Sequence, residues 1–170
     1  MEDKRVWLVT GASRGIGLAI ARRVVAAGDR VALLARGEAV HALAAELGEN
    51  GLACQADVSD PAAVDAAIAS VISRWGRLDA VVNNAGMHRG GKLARLEIDD
   101  WQAVIDTNLT GALNVCKAAS GHLPAGGSIV NIGAVVGFRG FPGDAAYASS
   151  KAGLAGLTRA LAIELAKQGI

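Results

Sequence analysis

Short apolar runs rich in β-branched residues alternate along the chain with longer stretches whose apolar positions return every three or four residues. The short runs predict strands over residues 6–10, 31–35, 52–55, 79–83 and 128–132. The longer stretches predict helices. The first covers residues 15–27, with Ile16, Ile20, Val24 and Ala27 on its apolar face and Gly28 as its stop. The second covers 38–47, ahead of Gly48. The third opens on Asp60-Pro61, an N-cap followed by proline at the first helical position, and carries Val64, Ile68, Val71, Ile72 and Trp75. Asp99 and Gln102, spaced like a capping box, predict a long helix towards Ala119. The last covers 144–167, with Gly169 ending it. Strands joined by helical crossovers make a parallel sheet with helices on both faces. The expected fold is a three-layer α/β/α Rossmann-type sheet, doubly wound, in strand order 3-2-1-4-5. Residues 1–170 read as one domain without repeat or linker, and strand five is expected at an open edge.

Composition narrows the function classes. The chain has 170 residues, 52% of them hydrophobic, enough for one domain with a substantial core. Net charge is +1 and no long basic block occurs, so no nucleic-acid partner is expected. The apolar runs are short and interrupted by charge, so no membrane span is expected. Met1 to Arg5 is polar and carries no apolar signal core. Cys54 and Cys116 fit no CxxC pattern and read as small core residues in a reducing compartment, which makes the cytoplasm the expected location.

Three motifs carry chemistry. Thr10-Gly11-Ala12-Ser13-Arg14-Gly15-Ile16-Gly17 falls between the first strand and first helix. Gly11 can turn the chain, Gly15 can let backbone approach a pyrophosphate, and Gly17 can let the helix pack closely, while the helix N-terminus aims N–H groups at phosphate. The spacing is G-x-x-x-G-x-G, and a ligand-free strand–helix turn is the competing reading. Asn83-Asn84-Ala85-Gly86 ends the fourth strand, where side-chain amides can hold neighbouring backbone and face the crevice; an ordinary turn is the alternative. In Tyr147-Ala148-Ser149-Ser150-Lys151 the phenol and the amine share a helix face. An ammonium beside a phenol stabilises its phenolate and makes it a usable proton donor and acceptor. In isolation, a surface pair explains that spacing as well.

Together, in this order and at these strand ends, the motifs resemble the short-chain dehydrogenase/reductase family along essentially the whole chain. Asn83 to Gly86, Thr107-Asn108-Leu109-Thr110-Gly111 and Tyr147 to Lys151 look like its 3-oxoacyl-carrier-protein reductase branch. The resemblance implies that Tyr147 exchanges a proton with the substrate oxygen. It implies that Lys151 tunes Tyr147 and holds the nicotinamide ribose, and that Asn108 anchors a relay water. Gly11, Ser13, Arg14, Gly15, Ile16, Gly17, Asn84, Ala85 and Gly86 would hold the dinucleotide, with Asp57 and Val58 at the adenine. A strand-end cap competes as the role of Asp57.

An acid at the end of strand two would bind the ribose 2′-OH of NAD, but that strand ends Leu34-Ala35-Arg36. Arg36, with Arg14 as a second cation, favours NADP(H) over NAD(H). Glu38 lies near enough to argue the other way. No metal is implied. The resemblance also exposes two departures. Family members usually carry Ser thirteen residues before the Tyr, where this chain has Ala134. They also continue into a sixth strand, a substrate-covering loop and a seventh strand. His41, His88 and His122 lack ligand spacing and read as surface histidines, with a substrate contact as the alternative for His88. Trp75 and Trp101 read as helix packing residues, and residues 139–143 as a surface loop or the substrate entrance. The expected function is an NADP(H)-dependent oxidoreductase acting on a small-molecule carbonyl or secondary alcohol, impaired by Ala134. The alternative is an inactive dinucleotide-binding or assembly module. Helices from Asp99 and Asp144 are expected to support a homodimer or homotetramer.

Overall fold

The computed structural model describes residues 4–170; Met1 to Asp3, part of the polar N-terminus read above, lie outside the described residues. Five parallel strands form one sheet in the order β3-β2-β1-β4-β5. They are β1 Val6–Thr10, β2 Arg30–Ala35, β3 Gly51–Gln55, β4 Ala80–Asn83 and β5 Ser128–Asn131. Central strands can be apolar on both faces because helices cover both. On one face, Val9, Val31, Leu33 and Val82 pack against α1 (Gly15–Ala26) and α2 (Ala39–Glu46). On the other, Val6, Leu8, Ala32, Leu34 and Val81 meet α3 (Pro61–Trp75) and α5 (Gly111–Ser120). Each fully buried Val or Leu contributes about 1.5–3 kcal/mol relative to leaving it in water. Both cysteines are buried in this core or beside it, and Trp75 packs against its rim.

Local chemistry sets several boundaries as the sequence predicts. The Asp60 side chain accepts hydrogen bonds from the N–H groups of Ala62 and Ala63, capping α3 behind Pro61. Gly76, at φ 73°, takes the left-handed turn that ends it. Asp79 stands just before β4 and not within it. Its carboxylate accepts the Val6 N–H at 2.8 Å and a bidentate Arg77 contact at 2.7–2.9 Å, joining the starts of β1 and β4.

Three predicted features are corrected. The buried face of α1 is Gly17, Ala21 and Val24, while Ile16 is 63% exposed and Ala27 lies outside the helix. Small residues let the helix axis approach the sheet, and the large Ile16 is turned towards the rim. The helix predicted from Asp99 starts at Ile98, with Glu97 before it; Asp99 and Asp100 occupy its first turn, where they complement the helix dipole. Gln102 bonds forward to Asp106 at 2.7 Å, so no capping box forms. That helix is also not continuous: α4 (Ile98–Ile105) passes through a π turn, Asp106–Thr110, before α5. Finally, α6 (Val136–Arg139) is a helical turn where the sequence pattern assigned no element, ahead of α7 (Ala145–Leu165).

Candidate active site

The strand order reverses between β1 and β4, so their carboxyl ends diverge into a crevice. Thr10, the last residue of β1, stitches its two walls. Its hydroxyl oxygen accepts the N–H groups of Asn84 (3.0 Å) and Ala85 (2.9 Å). The Asn84 side-chain amide returns the tie by donating to the carbonyls of Thr10 (3.0 Å) and Gly11 (3.2 Å). Gly11 has φ 63°, and a Cβ there would stand 2.8 Å from Ala85 Cα. Gly17 is pressed equally tightly, with a Cβ position 2.6 Å from Asn84 Nδ2. Gly15, at φ 55°, has open space where a side chain would go. The helix behind it has no side-chain cap and no acid in its first turn, leaving its amide end available to an anion.

The crevice is a cleft of about 300 Å³. Its walls bring together Gly11, Ser13, Arg14, Gly15, Ile16, Arg36, Asp57, Val58, Asn84, Ala85 and Gly86 from the residues predicted to hold a cofactor. Gly17 sits beneath this wall as packing. Thr107, named above within a motif but given no role there, also lines the cleft. Two further supports were illegible: Ser59, whose N–H and hydroxyl both donate to Asp57, and Asn114, whose amide holds the Val58 carbonyl at 3.0 Å. Arg36 faces Asp57 at 3.7 Å. Burial pushes the Asp57 carboxyl up, but the Ser59 hydrogen bonds and then Arg36 outweigh it, so its pKa lies below the ordinary value. Asp57 is therefore both a turn cap and a cleft residue. Gln55 donates to the Arg36 carbonyl at 3.1 Å and steadies that corner.

Tyr147 and Lys151 line no part of this cleft; they stand beyond its Gly86 end. The link is Asn108 in the π turn. Its Oδ1 would lie 3.4 Å from a Cβ on Gly86, and its amide donates to the Ser150 hydroxyl at 3.1 Å. Asn108 is buried, and the same side chain accepts the Met87 N–H (2.8 Å) and donates to the Met87 carbonyl (2.9 Å). Its polar atoms are thus committed to protein partners. Lys151 is buried and donates to the Ile132 carbonyl at 2.7 Å, just past the carboxyl end of β5. Desolvation holds its pKa below the ordinary lysine value. Its Nζ lies 5.8 Å from the centre of the Tyr147 ring. The phenol and amine therefore share the carboxyl edge of the sheet with the glycine turn. His41 bonds to Gln55, and His88 bonds to Asp144 at 2.8 Å and meets the Tyr147 ring.

Known proteins resemble this chain in sequence and in fold. The short chain dehydrogenase profile matches residues 5–170. A 3beta-hydroxysteroid dehydrogenase of Mediterraneibacter gnavus is 42% identical over 99% of this chain and 63% of its own length. A 3-oxoacyl-[acyl-carrier-protein] reductase of Synechocystis sp. is 43% identical over 98% of this chain and 70% of its own. The chain thus spans about two thirds of the length of these curated relatives. Among solved structures, a short chain dehydrogenase from Burkholderia cenocepacia in complex with NADP superposes with a TM-score of 0.93 at 42% identity, covering 99% of this chain and 71% of that one. A blue fluorescent protein from a metagenomic library in complex with NADPH gives 0.92 at 39% identity, over 98% and 70%. With its sheet order, its stitched glycine turn and its Tyr147–Lys151 pair accounted for, the chain belongs to the short chain dehydrogenase family.

Proposed function

We propose that this chain is an NADP(H)-dependent oxidoreductase that exchanges hydride between the nicotinamide and a carbonyl or secondary alcohol, in the manner of a 3-oxoacyl reductase. The observation that carries the reading is one continuous edge of the sheet: an uncapped helix end and two arginines at the cleft, then Asn108, Tyr147 and Lys151 beyond Gly86. Residues 1–170 serve as a single dinucleotide-binding domain in this reading. No helix among the described residues is long and apolar enough to cross a membrane.

The cofactor, when bound, supplies or accepts the hydride. The residues present fit it. Gly15 leaves room for a pyrophosphate at the amide end of α1, Ile16 offers an exposed apolar surface, and Asp57 and Val58 bound the adenine side. Arg36 and Arg14 suit a 2′-phosphate, since a guanidinium pairs with phosphate through a charge-assisted fork. The two solved structures named above are complexes with the phosphorylated cofactor, NADP in one and NADPH in the other. Tyr147 gives its hydroxyl proton to the carbonyl oxygen in reduction and takes it back in oxidation. Lys151 is anchored on the Ile132 carbonyl, which fixes its ammonium near the phenol, where it would hold the ribose hydroxyls of a bound cofactor. Asn108 acts by fixing Met87 and Ser150; a relay water would have to find its remaining ligands elsewhere. Ala134 offers no hydroxyl to the substrate oxygen, and one missing donor of this kind costs about 10²–10³ in turnover. Exposed Leu113 on α5 and Ile163 on α7 support self-association, which sedimentation tests.

Titration with NADPH and NADH, followed by turnover of a 3-oxoacyl thioester, tests the reading. NADPH binds more tightly than NADH, and Arg36→Ala narrows the difference by weakening NADPH about 10–100-fold, the worth of a charge-assisted bond. Tyr147→Phe lowers turnover at least about 10²-fold with binding intact, and Ala134→Ser raises it. Tight NADPH binding without turnover, even in Ala134→Ser, would establish the binding-module alternative instead.

A further inference from the structure

We propose that His88, held by Asp144, is a positioning residue for Tyr147; the proposal rests on the reading of Tyr147 as the proton donor. His88 lies in the loop after β4 and Asp144 stands at the start of α7, 56 residues later. A carboxylate can only accept, so the His88 Nε2–H donates to Asp144 Oδ1, at 2.8 Å. The His88 ring then meets the Tyr147 ring edge to face, with centroids 5.3 Å apart and planes inclined at 72°. An aspartate at this position ordinarily caps its own helix. Here the side chain makes no cap bond and is spent on His88 instead.

The backbone closes the circuit. Asn108 clamps both polar groups of Met87, the residue before His88. The Asn108 amide also donates to the Ser150 hydroxyl, which donates in turn to the Tyr147 carbonyl at 2.8 Å. The loop is pinned again where the Gly91 N–H bonds to the Gly143 carbonyl at 2.9 Å. Tyr147 is therefore held through its carbonyl by Asn108 and Ser150, and through its ring by His88 and Asp144. The ring contact from the opposite loop fixes where the phenol points.

Tyr147 is the single tyrosine of the chain, so a ¹³C-tyrosine-labelled sample reports on it alone. The test is a cycle of Asp144→Ala, His88→Ala and the double variant of the full chain. Asp144→Ala shifts the Tyr147 ring resonance when His88 is present and leaves it in place when His88 is already alanine. In the kinetics, His88→Ala lowers kcat about tenfold, as a small misplacement of a reacting group does, with KM for NADPH nearly unchanged. His88→Gln, which can still donate to Asp144, recovers part of the loss. An equal resonance shift in both backgrounds overturns the proposal. So does an unchanged kcat in His88→Ala where Tyr147→Phe abolishes turnover. If Tyr147→Phe leaves turnover intact, the proton-donor reading falls, and the resonance cycle still decides whether His88 holds the ring.

Discussion

Replacing Gly17 by alanine sets two opposing effects against each other at one atom. Gly17 is helical, so alanine relieves the conformational cost of glycine and favours α1 by about 0.8–1.0 kcal/mol. The new Cβ, however, would lie 2.6 Å from Asn84 Nδ2 and 2.9 Å from the Gly11 carbonyl carbon, with the carbonyl oxygen nearer still. Neither neighbour can yield freely. The Gly11 carbonyl is held by Asn84, and Gly11 itself is wedged against Ala85. The helix must lift by several tenths of an ångström, or the Asn84 stitch must break. Overpacking of this kind costs about 1–3 kcal/mol, and each lost hydrogen bond about 1 kcal/mol more. The clash wins: the net change is a destabilisation of about 1–3 kcal/mol, read in urea unfolding as a midpoint lowered by roughly 0.5–1.5 M. Gly156 in α7 is the control, since nothing lies within 4 Å of its Cβ position. Gly156→Ala should raise stability by about 0.5–1 kcal/mol. If Gly17→Ala is as stable as the parent, or moves in the same direction as Gly156→Ala, the close approach of α1 to the β4 turn is not what the glycine serves.

Two further outcomes follow from buried titratable groups. Burial pushes the Asp79 carboxyl up, but the Arg77 hydrogen bonds, and then the Val6 N–H, overcome this and hold its pKa below the ordinary aspartate value. A carboxyl depressed in the folded state adds stability that is present above its unfolded pKa and lost as pH falls through the folded one. Asp79→Asn should therefore cost about 1.5–3 kcal/mol in urea unfolding at pH 7, with the deficit shrinking in acid; an unchanged deficit at pH 3 would contradict the pairing. Burial also pushes the Cys54 thiol up to about 11 and raises Cys116, which the Asn83 amide only partly offsets. Ellman's reagent at pH 8 should modify both no faster than the chain unfolds, because only the thiolate reacts; rapid labelling under native conditions would show that the core opens locally.

Periodicity and cap chemistry are written in neighbouring residues, and so the sequence alone determined the five strands, the Asp60-Pro61 helix start and the glycine turn, and the general rule for doubly wound sheets then supplied the strand order. It also determined that Tyr147 and Lys151 share a helix face, because a helix places positions four apart together wherever it lies. What it could not determine were matters of distance across the chain. Which side of α1 touches the sheet depended on how closely Gly17 meets Gly11. The Asp99 reading failed because Gln102 found Asp106, and because a π turn carries Asn108 onto Met87 and Ser150. His88 was an ordinary surface histidine until packing brought Asp144 to its nitrogen and Tyr147 to its ring. Such pairings join loops far apart in sequence, and only the assembled carboxyl edge of the sheet sets the distances that choose them.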